Sequence, residues 1–153
     1  MTNPSIFAPG PNGLPVVRPM TDDEVAASQP TPDQVKAAIM AERDRRLCLP
    51  FTFQGKAYDR SEQSVSRIAG AGTLALAAIV NGAQPGNLNW HGDPVNPFGW
   101  IAADNSVTLM DAQTMFAFGQ ACAQIETTLV FKARNLKNMN PIPADYTAEA
   151  YWT

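Results

Sequence analysis

The residues best suited to chemistry lie in one loop. His91 is the single histidine, and with Gly92 and Asp93 it makes a His-Gly-Asp triplet beside Trp90. A histidine beside a carboxylate suits acid-base work, and with a nucleophile it would suit acyl transfer. No serine sits in a GxSxG setting, so the nucleophile is missing. Zinc would need three further ligands beside His91, and the two cysteines, Cys48 and Cys122, stand in helical contexts far from it. Cys122 falls within an apolar helical face, where a thiol stays protonated and inert. Asp93 with Asp104, or Asp104 with Asp111, offers paired carboxylates for acid-base catalysis. Asp104 and Asp111, however, occupy turn-closing and helix-capping positions. The glycine clusters GAG at 70–72 and GNLNWHG at 86–92 do not match the phosphate-binding GxxxxGK[ST] pattern. These residues point to no enzyme, no cofactor and no metal.

Composition narrows the partners. The chain has 153 residues, 45% of them apolar and 16% charged, with a net charge of −3. That balance argues against nucleic acid, which demands a basic field. The cluster AERDRRL at 41–47 holds three arginines, but Glu42 and Asp44 offset them, and it reads as a solvated helix end. No unbroken apolar run reaches the roughly 18 residues of a membrane span, so no membrane is expected. The opening MTNPSIFAPG lacks the basic and apolar regions of a signal peptide. Two distant cysteines without a CxxC pattern read as buried thiols of a protein made in a reducing cytoplasm.

The elements that would position these residues are marked by capping and periodicity. Residues 31–47 form a first helix: Thr31-Pro32-Asp33-Gln34 places a hydroxyl at the cap, proline at the first helical position and glutamine three residues on. Its apolar stripe is thin, which fits a solvated helix or one packed on another chain. FTFQGKAYD at 51–59 reads as a hairpin turning at Gln54-Gly55. Asp59 or Ser61 caps a second helix, on which Val65, Ile68, Ala69, Gly72, Ala75, Leu76 and Ile79 share a face. It stops at Asn81-Gly82, and 83–97 is a loop. A second hairpin turns at Asp104-Asn105, and Asp111 caps a third helix. Met115, Phe118, Cys122, Ile125, Leu129 and Leu136 form its core stripe, and Phe116, Ala123, Val130 and Phe131 form a second apolar row. A helix apolar on two sides is sandwiched between layers or feeds an oligomer interface. The expected fold is α+β: three helices packed with two short antiparallel β-hairpins, in a compact domain over 31–153.

Residues 1–30 read differently. Residues 1–32 hold seven of the 13 prolines, with no period of 2 or 3.6. This segment is expected to be an extended, proline-rich arm, acidic at Asp22, Asp23 and Glu24. Ile6, Phe7, Leu14, Val16 and Val17 are its expected partner-binding residues, since extended proline-rich chain loses little entropy on docking. The aromatics Trp90, Trp100, Tyr146, Tyr151 and Trp152 offer an alternative, a carbohydrate platform, against the plainer reading of core and tail packing.

Taken in order, AERDRRL, FTFQGKAYDRSEQSVSRIAGAGTLALAAI and FGWIAADNSVTLMDAQTMFAFGQA resemble a domain of unknown function from tailed bacteriophages and prophages, found in tail fibre, fibre-assembly and small tail proteins. The resemblance spans about residues 36–152 and rests on E-R-D-R-R, F-x-F-x-G-x-x-[YF]-D, W-x-x-x-D-N and M-D-A in that order. It implies structural roles for the Gly55 turn, the Asp59 cap, the Asn105 turn and the Asp111 cap, and no catalytic residues. It further implies a structural virion protein: a tail, baseplate or fibre-attachment adaptor made in the host cytoplasm. Its partners would be other tail or fibre proteins, in a homo-oligomer for which threefold symmetry fits fibre attachment. A fibre-assembly chaperone not retained in the virion is the alternative within the same family.

Overall fold

The computed structural model describes residues 3–153, and the chain divides into two compact units, Met1–Ala37 and Ala38–Thr153, with the boundary inside a helix.

The first unit is not an extended arm. Strands β1 (Ser5–Pro9) and β2 (Pro15–Pro19) pair antiparallel, in the register Ser5↔Pro19, Phe7↔Val17 and Pro9↔Pro15. The prolines permit this through their parity. In an antiparallel ribbon, alternate residue pairs exchange hydrogen bonds and the pairs between them do not. The ribbon is bonded by Gly10 N to Leu14 O (2.9 Å) and Met20 N to Pro4 O (2.8 Å), so the bonded pairs fall on even-numbered residues. Pro9, Pro15 and Pro19 are all odd-numbered, where the backbone N–H points away from the partner strand. Proline removes no ladder bond there. Gly13, at φ 74°, takes the left-handed turn position.

Helix α1 (Asp22–Ser28) follows, so the acidic patch Asp22, Asp23 and Glu24 is a helical first turn, where negative charge offsets the dipole. Thr21 caps it reciprocally: Thr21 Oγ1 accepts from Glu24 N (3.3 Å), and Thr21 N donates to the Glu24 carboxylate (2.8 Å). The same carboxylate receives a two-pronged bond from Arg18 of β2 at 2.6 and 2.5 Å. Asn3 Nδ2 donates to Met20 O and to Asp22 Oδ1, both at 2.9 Å.

Helix α2 (Pro32–Leu47) starts at the expected box, with Gln34 N donating to Thr31 Oγ1 and Thr31 N to Gln34 Oε1. Only Ile39 and Arg46 are buried on it, in keeping with its thin stripe.

In the second unit, β3 (Phe51–Phe53) pairs with β4 (Lys56–Tyr58) through Gln54 and Gly55, whose φ values of 48° and 80° make a left-handed two-residue turn. Helix α3 spans Glu62–Val80. Its cap is Ser61, which accepts from Ser64 N; Asp59 instead accepts from the hydroxyls of Ser61 and Ser64 and so buttresses the cap from outside. Of the two cap candidates, Ser61 takes the position. Strands β5 (Gly99–Ile101) and β6 (Val107–Leu109) make the remaining hairpin, and helix α4 covers Ala112–Lys137. Each hairpin is a separate two-stranded sheet, but those of this unit are joined by Ala103 N to Ala57 O (2.8 Å), Tyr58 Oη to Thr108 Oγ1 (2.9 Å) and Lys56 Nζ to Ser106 Oγ (2.9 Å).

Phe118 of α4 is the hub of the core. Its ring lies 4.7 Å from Tyr58, 5.1 Å from Phe51, 5.2 Å from Phe53 and 5.7 Å from Trp100, so both hairpins close on one helical residue. α3 packs along α4 through Ile68, Gly72 and Ala75, and a Cβ built on Gly119 would stand 3.5 Å from the Cα of Gly72. The second apolar row of α4 is covered only in part: Phe116 packs against the core, while Val130 and Phe131 are exposed.

Two further expectations change. Cys122 is buried, but Cys48 is exposed, because it follows the last turn of α2 instead of lying within it. And α3, although Ser64, Ser66 and Arg67 interrupt its apolar run, is long and apolar enough to cross a membrane by length and composition alone. Its residues Leu74 and Val80 are 65% and 78% exposed.

Candidate functional site

The loop holding His91 is built by its carboxylate. Asp93 accepts from Val95 N (2.8 Å), Asn96 N (3.0 Å) and Asn96 Nδ2 (2.8 Å), which closes the turn. The Asn96 side chain, then the Asn96 and Val95 amides, lower its pKa to about 2. His91 is exposed and lies edge-on to Trp90 and Phe98, with ring centroids 5.9 and 5.4 Å away. Asp104 is occupied by Ser106, through both hydroxyl and amide. Asp111 caps α4 through Thr114 N (2.8 Å), and its other oxygen accepts from Gly86 N (2.7 Å), pinning the 83–97 loop to the helix start. All three carboxylates are held below the usual aspartate range by these donors: Asn96 for Asp93, Ser106 for Asp104 and Thr114 for Asp111. Their lone pairs serve turns and a cap. Among the described residues, no group of three or more His, Cys, Asp and Glu is placed to hold a metal ion.

The aromatics do not form an open platform. Trp90 donates its indole N–H to Met110 O (3.0 Å) and stacks 4.6 Å from Phe98. Trp152 is buried, donates to Tyr146 O (2.8 Å), and lies under the Arg46 guanidinium at 5.0 Å. The tail is thereby locked to α2, as Arg46 also bonds Glu149 (2.7 Å) and Thr147 O (3.0 Å).

The sequence-chosen docking residues sit on the hairpin but not on one face. Register puts Phe7 and Val17 side by side on one face, with Ile6, Val16 and Arg18 on the other. Phe7 and Val17 are 78% and 63% exposed, and Leu14 beside the turn is 71% exposed. Ile6 is half-buried, and Val16 is only marginally exposed. Phe7, Val17 and Leu14 are therefore the most exposed large apolar groups among the described residues of this unit, held by a ribbon instead of a loose chain.

Sequence reasoning passed over Arg60. This side chain is only 2% exposed, its Nε has no hydrogen-bond partner, and it joins no ion pair among the described residues. It lines a cavity of about 290 Å³ with Arg46, Glu149, Thr52, Ile125, Leu129 and Trp152 among others. The Asp59-Arg60-Ser61 context reads as a capping segment, and nothing local marks the guanidinium as buried.

No curated protein and no solved structure matches the chain. A family described as a domain of unknown function, DUF4376, matches residues 30–151, which takes in all of α2, both hairpins of the second unit, α3, α4 and the tail, and leaves the β1–β2 hairpin and α1 outside. The chain belongs to that family.

Proposed function

We propose that the protein is a non-enzymatic structural component of a phage virion, an adaptor at the tail, baseplate or fibre attachment that docks on a neighbouring tail or fibre protein through its β1–β2 hairpin. The observation that carries this reading is the pairing of Phe7 with Val17 on one exposed face of a two-stranded ribbon, with Leu14 at its tip. Large apolar side chains held in fixed register by backbone hydrogen bonds lose little entropy on docking, and such rigid apolar anchors carry most of the affinity of protein interfaces. The hairpin lies outside the family domain, which suits an added element that selects a partner for a common core. Exposed Leu74 and Val80 on α3, and Val130 and Phe131 on α4, favour self-association of the second unit into a homo-oligomer. In this reading the protein is made in the host cytoplasm and ends in the particle.

The test is a phage carrying Phe7→Asp with Val17→Asp, its purified particles compared with wild type by quantitative mass spectrometry. Near-stoichiometric copies in wild type and loss from the variant are expected. Undiminished incorporation of the variant sinks the docking role. Absence of the protein from wild-type particles replaces the adaptor with an assembly chaperone.

A further inference from the structure

The cavity at Arg60 is built for an anion. Burying a guanidinium costs several kcal/mol unless an opposite charge and good hydrogen bonds compensate it. The other two charges on the cavity wall, Arg46 and Glu149, are matched to each other. Arg46 is bonded by Glu42 and Glu149, both at 2.7 Å, and Glu42 also holds Arg45 at 2.7 Å. Asp59, adjacent in sequence, is taken by the hydroxyls of Ser61 and Ser64. Arg60 alone remains, buried and with an unpartnered Nε.

We infer that this cavity is a binding site for a single carboxylate carried on an apolar body, with Arg60 as its counter-charge. Three features select that ligand. One uncompensated positive charge is balanced by one negative charge, and a phosphate dianion would leave an excess beside Glu149. The planar fork of a guanidinium matches the two oxygens of a carboxylate. Beyond the cavity runs a furrow of about 470 Å³, bounded by Phe51, Ala121, Ile125, Leu129 and Trp152, which would take the apolar body. The site lies wholly within the second unit and does not depend on the role given to the hairpin.

The test is titration of the full chain with N-acetyl-leucine, its uncharged amide and inorganic phosphate, followed by NMR of the Arg60 Nε–H and Trp152 indole N–H signals. Saturable shifts of both signals with the acid, and none with the amide or phosphate, are expected. Equal response to the amide, a response to phosphate alone, or no saturation with the acid at its solubility limit overturns the assignment. Arg60→Met should weaken acid binding by roughly tenfold or more, because a charge-assisted pair is lost. It should also raise the melting temperature of the ligand-free protein, because a buried unpaired charge is removed. A lowered melting temperature with unchanged acid binding makes Arg60 a structural residue and overturns the site. A tripeptide ending in leucine separates two sources of the carboxylate. Tighter binding than N-acetyl-leucine assigns it to a protein chain lying along the furrow, and weaker binding assigns it to a free acid; both uphold the site.

Discussion

Gly119 sets how closely α3 and α4 approach. A Cβ there would meet the Gly72 Cα at 3.5 Å and the Ile68 carbonyl at 3.8 Å, both ordinary van der Waals distances. Gly119→Ala is therefore expected to be neutral or to stabilise by up to about 1 kcal/mol, since glycine within a helix costs backbone entropy. Gly119→Val adds two methyl groups beyond a Cβ already in contact with the α3 backbone and should destabilise by about 1–3 kcal/mol. Urea unfolding of the two variants checks the opposite signs. At this scale the sequence is legible for residues that act locally. Asp111 as a cap, Asn105 as a turn residue at φ 66° and the Thr31–Gln34 box all occur as read. It is illegible for Arg60 and Arg46, because the burial of a charge is decided by which distant elements close over it.

The helices and the two hairpins of the second unit were readable because each carries its own signal: caps, a 3–4 apolar spacing, a turn dipeptide. The β1–β2 hairpin was not, because proline content argues against strands when proline is only counted. The decisive information was position, the placement of Pro9, Pro15 and Pro19 on one parity. What ties this hairpin to α1 is electrostatic. Arg18 first, then the Thr21 amide, lower the Glu24 pKa from 4.5 to about 2. A carboxylate whose folded pKa is depressed gives stability that is fully present above its unfolded value and is lost as pH falls through the folded value. The Arg18–Glu24 link should accordingly hold at neutral pH and weaken between about pH 4.5 and 2. Carbon-detected NMR of the Glu24 carboxyl should show titration near pH 2. A midpoint near 4.5 contradicts the pairing. Glu42, held down to about 2 by Arg45 and Arg46, titrates in the same window, so the effect has to be read at Glu24 itself.

For the whole molecule, the division at Ala37 has a spectroscopic corollary. Trp90, Trp100 and Trp152 all lie in the second unit, packed against its core or its tail. Tryptophan fluorescence therefore reports that unit alone. Phe7→Asp with Val17→Asp should leave the midpoint of a fluorescence-monitored denaturation unchanged within about 0.5 kcal/mol, as expected for exposed positions of the first unit. A shifted midpoint makes the two units one cooperative body. The family match begins earlier than this division, at residue 30, so it keeps α2 whole and leaves the β1–β2 hairpin and α1 outside.

The parity of the prolines also constrains how the hairpin is recognised. The outward-facing backbone of β2 lacks N–H groups at Pro15 and Pro19, leaving Val17 as its single donor between them, and β1 lacks one at Pro9. A third strand cannot extend such a ribbon along β2 with a full ladder, so β2 is a poor edge for strand addition, while β1 keeps outward donors at Ser5 and Phe7. This guards the β2 edge while Phe7 and Val17 stay exposed. Recognition along the β2 edge therefore rests more on side chains and carbonyl acceptors than on backbone donors.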